Sequence, residues 1–248
     1  MNTDFTLPLA CLLAIPAVAT AGDGPLWSIG VEAGPVWQSK NDVQIPGDTG
    51  TRFALNEITG SGPFPFARLE LTYHLTEKQE LRGLLAPLSL DGVGTLTQPI
   101  NFNGVTFTPG ATEAKYKFNS YRLTWRYTMF DSSAWTWKLG ITGKIRDASI
   151  ELRQGGVSTT DSNVGLVPLV NLYGEYRLAG HWRGILDFDG LVGPSGRAFD
   201  CGLKAAYELT PQWSLEAGYR VLEGGADNDK VYNFALFNYA VLGARYRF

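Results

Sequence analysis

The segment Asn238–Phe248, NYAVLGARYRF, alternates without a break. Successive side chains of an extended strand point to opposite faces. Ala240, Leu242, Ala244, Tyr246 and Phe248 therefore share one face, and Gly243, Arg245 and Arg247 share the other. One face suits an apolar surrounding and the other a polar one. A soluble sheet can carry the same pattern, so its meaning depends on how often the chain repeats it. Ala67, Leu69, Leu71, Tyr73 and Leu75 oppose Arg68, Glu70, Thr72 and His74. Tyr121, Leu123, Trp125 and Tyr127 oppose Ser120, Arg122, Thr124 and Arg126. Trp27–Trp37, Trp137–Arg146, Val170–Arg177, Arg183–Asp189, Phe199–Glu208 and Ser214–Val221 repeat the motif, and Val231–Phe248 closes the series. Leu81–Leu90, LRGLLAPLSL, is apolar on both faces and holds Pro87; it is kept as a strand because it completes a count of about ten.

Composition bounds the class. The 248 residues suit one large all-β domain. A content of 29 Gly with 7 Trp, 11 Tyr and 13 Phe favours strands, turns and interfacial anchoring. The net charge of −3 comes with no basic run to track phosphates, which argues against a nucleic-acid partner. Leu7–Ala19 is apolar but shorter than the roughly 20 residues of a spanning helix. It runs into the small-x-small site Ala19-Thr20-Ala21, so residues 1–21 read as a cleaved secretory signal, although with Asp4 and no Lys or Arg before the apolar run, and residues 22–248 as the mature domain. Cys11 leaves with such a signal, and Cys201 alone forms no intrachain disulfide.

Connections follow a second rhythm. Those after the second, fourth, sixth and eighth segments are short (TEKQE, DSSA, AGH, TPQ), whereas those after the first, third, fifth and ninth read as longer and polar; GPSG after the seventh departs from the pattern. Short turns at one end and long loops at the other mark outer-membrane barrels, with the short turns periplasmic. Trp27, Tyr73, Trp135, Tyr176, Trp182, Tyr207, Trp213 and Tyr246 collect near the short-turn end, and Trp37, Phe64, Phe66, Tyr116, Phe118, Tyr232 and Phe234 near the other, as two aromatic girdles would. The reading is an antiparallel up-and-down transmembrane β-barrel of about ten strands, within a range of eight to twelve. Twelve would require Thr51–Thr59 and Thr95–Phe107 to extend the sheet.

The ending LGARYRF, with Tyr246 two residues before Phe248, resembles the signal that bacterial outer-membrane barrels present to their insertion machinery. The chain thus resembles the small monomeric members of that class, the OmpA/OmpW-like superfamily. The resemblance covers about residues 25–248 and names no activity. It implies a bacterial outer-membrane location, membrane lipid and the barrel insertion machinery as partners, a monomer, and Tyr246 and Phe248 as the assembly signal.

A barrel of about eight strands is filled by side chains, whereas aqueous channels belong to 16 to 18 strands. Parity therefore sends Arg68, Glu70, Arg122, Arg126, Lys144, Glu175, Arg177, Asp187, Asp189, Lys204, Glu216, Arg220 and Arg245 into a narrow lumen, where they should pair because unpaired buried charge is costly. Lumenal Glu32, Lys138, Arg146, Arg183, Asp200, Glu208 and Arg247, with Tyr173 and Tyr239, complete the expectation. The function read from this is a non-enzymatic barrel with a side-chain-filled lumen and loops for structural or surface-interaction roles. The alternatives are a narrow, weakly anion-preferring channel, suggested by the basic excess, and a barrel hydrolase, for which His74 beside Thr76, Glu77 and Glu80 is the candidate base. No cofactor is indicated. Asp227, Asn228 and Asp229 in EGGADNDK suit Ca²⁺ by ligand type but match no complete calcium-loop spacing. Gln38–Gly62 and Asp91–Thr112 are the segments expected to meet the outside.

Overall fold

The structure, a computed structural model, describes residues 26–248; the expected secretory signal lies outside the described residues. The elements in order are β1 (Trp27–Gln44), β2 (Phe53–Ala54), α1 (Asn56–Thr59), β3 (Phe64–Thr76), β4 (Gln79–Ala86), β5 (Ser89–Leu96), β6 (Ile100–Phe102), β7 (Val105–Phe107), β8 (Gly110–Asp131), β9 (Trp135–Gln154), β10 (Val157–Arg177), β11 (Trp182–Gly193), β12 (Gly196–Glu208), β13 (Trp213–Asn228) and β14 (Val231–Arg247). Every pairing is antiparallel, and β14 returns to β1 from Ser28↔Arg247 to Gln44↔Tyr232. The strand order thus closes into a ring. Its ten staves are β1, β3, β4 continued by β5, and β8 to β14.

Pro87 accounts for the broken stave. It offers no backbone donor, and β4 stops at Ala86 while β5 resumes at Ser89 against the same partner, β8.

At the short-turn end the wall carries a belt of aromatic pairs on neighbouring strands. Trp27–Tyr73 and Trp135–Tyr176 lie 4.4 Å apart, Trp213–Tyr246 4.8 Å and Trp182–Tyr207 4.9 Å. Above the belt the outer face is apolar and exposed through Leu123, Leu139, Ile141, Ile145, Leu203, Leu215 and Leu242. This is the band a bilayer would cover.

Higher still, the polarity of the wall inverts. On β8 the outward positions become Glu113, Lys115 and Lys117, while the inward Ala114 and Tyr116 are buried and Phe118 packs against the buried cluster. On β9 the outward positions become Asp147, Ser149, Glu151 and Arg153, over buried Ile150 and Leu152. Over these stretches of β8 and β9 the strand parity does not change; the surrounding does. The upper barrel is built like a soluble protein, polar outside and apolar within.

Both long connections contribute to this upper core. Thr51–Thr59 and Thr95–Phe107 do not add staves, so the twelve-strand option is corrected to ten. Leu55 and Ile58 from the first and Ile100, Phe102 and Phe107 from the second join Tyr116, Leu152 and Phe237 of the wall in one buried cluster. Helix α1 lies against the inner face of β5, where a Cβ on Gly92 would stand 2.5 Å from the Thr59 carbonyl oxygen and one on Gly94 2.6 Å from Ile58 Cα. A chain of buried amides anchors it: Gln38 Nε2 donates to Thr59 Oγ1 at 2.8 Å, Asn41 Nδ2 to Gln38 Oε1 at 2.7 Å, and Asn233 Nδ2 to Asn41 Oδ1 at 2.7 Å.

Two further expectations are corrected. The fifth and ninth connections are tight two-residue turns, Gly155-Gly156 and Asp229-Lys230, because the polar residues around them belong to strands that stand clear of the apolar band. Gly155 and Gly156 adopt φ of 56° and 86°, a left-handed pair that glycine accepts without steric cost. Nor do Phe66 and Tyr116 belong to an outer girdle. They are buried in the upper core, with Phe64 and Phe118 packed against it.

Candidate functional site

The lower lumen is a continuous lattice of ion pairs. Its deepest layer centres on three aspartates. Arg82 donates from Nη1 to Asp187 at 2.8 Å and from Nη2 to Asp189 at 3.1 Å. Arg122 bridges Asp189 at 2.8 Å and Asp200 at 2.6 Å, and Arg220 also donates to Asp200. Arg68 completes the layer at 3.5 Å from Asp200. Neutral donors fill the remaining acceptor sites: Thr142 Oγ1 and Asn171 Nδ2 reach Asp189 Oδ1 at 2.7 and 2.9 Å.

A second layer lies nearer the short-turn mouth. Arg245 joins Glu70 at 2.7 Å and Glu216 at 3.0 Å, Lys204 joins Glu216 and, at 2.7 Å, Glu32, and Arg126 spans Glu80 and Asp187 at 3.2 and 2.7 Å. At the mouth itself Arg183 pairs with Glu175 at 3.1 Å, where the Tyr173 hydroxyl also donates, and Lys138 pairs with Glu80 at 2.6 Å. Between these groups lies a vestibule of about 140 Å³, lined in part by Thr72, His74, Glu80, Lys138, Tyr173, Arg183 and Arg247. None of its lining residues belongs to the upper apolar cluster.

Parity placed most of these side chains in the lumen, and two need separate comment. Arg177 stands at the periplasmic-type turn, half-exposed, with its guanidinium on the Ser132 carbonyl, on Thr136 Oγ1 at 2.8 Å and on Asp131 at 3.3 Å. The strand ends there, so an inward parity carries its side chain to the rim and not into the lattice. Lys144 is buried on the lumen side but makes no ion pair among the described residues; its ammonium lies 4.8 Å from the Phe118 ring.

Arg82 and Glu80 were missed. Both lie on the stave whose apolar double face hid its register, although Arg82 is the most deeply buried charge in the lumen. A basic residue inside an otherwise apolar strand is the signal that marks such a position, since lipid would not accept it. Tyr246 and Phe248 sit on the lipid side of the lower belt, with ring centres 4.8 Å apart, and the Phe248 N–H donates to the Trp27 carbonyl at 2.9 Å. His74 Nδ1 lies 3.6 Å from Glu80, and no serine or threonine hydroxyl hydrogen-bonds to it among the described residues. In the 223–230 hairpin, Asn228 Oδ1 accepts the backbone N–H groups of Lys230 and Val231 at 3.0 and 3.2 Å, closing the turn on itself.

Ten antiparallel staves, an aromatic belt, an exposed apolar band and a charged interior decide the architecture. This is the fold of an outer-membrane β-barrel. The outer-membrane protease OmpT of Escherichia coli shares it, with a TM-score of 0.53, 11% sequence identity, and 93% of this barrel and 99% of that chain covered. Neisserial surface protein A (15% identity, 90% and 97% covered) and Ail of Yersinia pestis in complex with a heparin analogue (12%, 90% and 99%) superpose with TM-scores of 0.41. At such identities the likeness speaks for fold alone, and the last two are too loose to carry an argument. No protein-family model and no curated protein matches the barrel's sequence.

Proposed function

We propose that the protein is a non-enzymatic, monomeric barrel of the bacterial outer membrane, sealed along its axis, whose raised outer wall serves structural or surface-interaction roles. The observation that carries this reading is the double closure of the lumen. Below, the guanidinium–carboxylate lattice spans the bore; above, α1 and the β6–β7 hairpin fill it with apolar side chains. An ion entering from the vestibule would have to break the lattice and then cross a dry core, which costs far more than leaving again. The reading keeps the resemblance to the small OmpA/OmpW-like barrels, with Tyr246 and Phe248 addressing the insertion machinery and membrane lipid surrounding the band.

The test is conductance of the mature protein refolded into a planar bilayer. Folded protein that gives no discrete steps supports the sealed barrel. Reproducible steps with anion preference, altered by Arg122→Ala, would replace it with the narrow-channel reading.

A further inference from the structure

The wall is not closed over its whole height. Strands β10 and β11 pair only from Val170↔Gly190 down to Arg177↔Arg183, although β10 continues upward to Val157. Its other edge stays paired to β9 throughout, without a bulge. At the lower end the Arg177 N–H donates towards β9, to Ala134, and the Leu178 N–H towards β11, to Trp182. The intact register carries that alternation upward, so even-numbered residues aim their N–H and C=O groups at the missing neighbour. Pro168 falls on this set, where its lack of a donor breaks no pairing.

The height of the gap matters. On β9 the outward face passes from Ile145 to Asp147, and these residues pair with Leu166 and Val164. The free edge therefore begins within the apolar band and crosses its upper boundary, the level of lipid headgroups. Leu166 and Val164 are 75% and 69% exposed, and Val192 on the facing rim is 66% exposed. Unpaired backbone in that setting needs a partner. Higher up the edge is partly served from within, since Asn103 Nδ2 donates to the Thr160 carbonyl at 3.1 Å.

One strand behind the gap, on the inner face of β9, stand two cations, the ammonium of one lying over Phe118 of β8. Lys144 and Arg146 are successive inward residues of β9, in register with Val167 and Gly165. Lys144 is 3% exposed, and neither residue forms an ion pair among the described residues. Arg146 reaches Asn163 on the free stretch of β10, and its Nε is buried with no acceptor. The deep lattice matches guanidinium with carboxylate, whereas at this height Lys144 and Arg146 stand without a carboxylate partner, and Asp161, further up the inner face of β10, forms no ion pair either among the described residues.

We propose that the β10–β11 gap is a lateral binding site for an anionic lipid of the outer leaflet, its phosphate held by Arg146 and Lys144 and its acyl chain lying along Leu166 and Val192. The free N–H groups of Ser162 and Val164 complete the phosphate cradle, and the chain stays in the apolar band.

Native mass spectrometry of the full protein, released from neutral maltoside micelles doped with monododecyl phosphate, tests this. One retained alkyl phosphate is expected, with retention at least tenfold weaker in the Lys144→Gln/Arg146→Gln double variant and unchanged in Arg153→Gln, a cation on the outside of the same strand. Gly165→Phe is a second route: a Cβ there meets only Asn163 and Arg146 side-chain atoms, at 3.5 and 3.7 Å, so the ring fills the site while both cations remain. It too should abolish retention. Butyl phosphate and inorganic phosphate should bind at least tenfold more weakly than the dodecyl ester. Retention that survives both substitutions, or inorganic phosphate binding equally well, would overturn the proposal, as would a dimer that carries no alkyl phosphate. If the double variant fails to fold, Gly165→Phe and the chain-length series decide.

Discussion

Arg82 on β4 and Asp187 on β11 meet at 2.8 Å although four steps around the ring of staves separate their strands. The pair is a strut across the bore, and Asp189 and Glu70 brace the same guanidinium at 3.1 and 3.5 Å. Removing the cation strands buried carboxylates. Arg82→Ala should therefore lower unfolding stability by about 3–5 kcal/mol, the usual cost of breaking a buried pair on one side. Urea unfolding in lipid vesicles measures it. Arg82→Met combined with Asp187→Leu should lose less than the sum of the two single changes, and strict additivity would show that the strut carries no coupling.

Phe237 is buried in the upper core and stacks on Tyr116 at 5.9 Å. Phe237→Ala should destabilise the barrel by roughly 3–5 kcal/mol through lost burial and a cavity. Amide exchange should quicken first in residues 53–59 and 100–107, whose apolar side chains share that buried cluster. Uniform loosening of the lower staves instead would mean that the upper core does not stand as a unit.

Asp131 is the last residue of β8, at the short-turn end below the apolar band. Its carboxylate accepts from the Thr136 hydroxyl at 2.6 Å and from Arg177, and these contacts hold its pKa below the usual carboxylate value. The folded value is the lower one, so the associated stability is present above the ordinary carboxylate pKa and fades as pH falls through the folded value. Thr136→Val should move the Asp131 midpoint upward in a ¹³C carboxyl titration. A midpoint that stays in place would assign the shift to Arg177 alone.

Phe248 is 62% exposed, with its ring set edge-on against Tyr246. Phe248→Ala should therefore change equilibrium stability by less than about 1 kcal/mol, as surface substitutions usually do. Catalysed insertion should nevertheless slow severalfold if this ring addresses the insertion machinery. Equal insertion rates for the two proteins would remove Phe248 from that role.

Strand parity was legible wherever the two faces met different surroundings, as in Ala67–Leu75, where Arg68 and Glu70 alternate with leucines and turn inward together. It was illegible in Leu81–Leu90 for a specific reason. Leu81 and Leu85 face the band, Arg82 and Leu84 face inward at the level of the lattice, and Leu88 and Leu90 face the upper core, so both sides of that stave look apolar. Tyr116 and Phe118 were read as a girdle because girdle and core both take aromatics near a strand's upper end. Their shared parity with Arg122 was the available clue. The lateral gap had no sequence signature beyond Pro168, since a missing neighbour is a property of strand lengths set elsewhere in the chain.

The inversion of polarity along β8 and β9 bears on how any partner would be met. Twenty-two residues of β8 at about 3.3 Å each, tilted by about 40°, rise some 55 Å, against a lipid band of about 25 Å. Much of the excess is a turret with its own packed interior, hydrogen-bonded into the same wall that crosses the bilayer. A molecule docking there meets a surface already in its final shape, so contact forfeits little conformational freedom. Recognition on this turret would be set by rigid fit, with the membrane as its foundation.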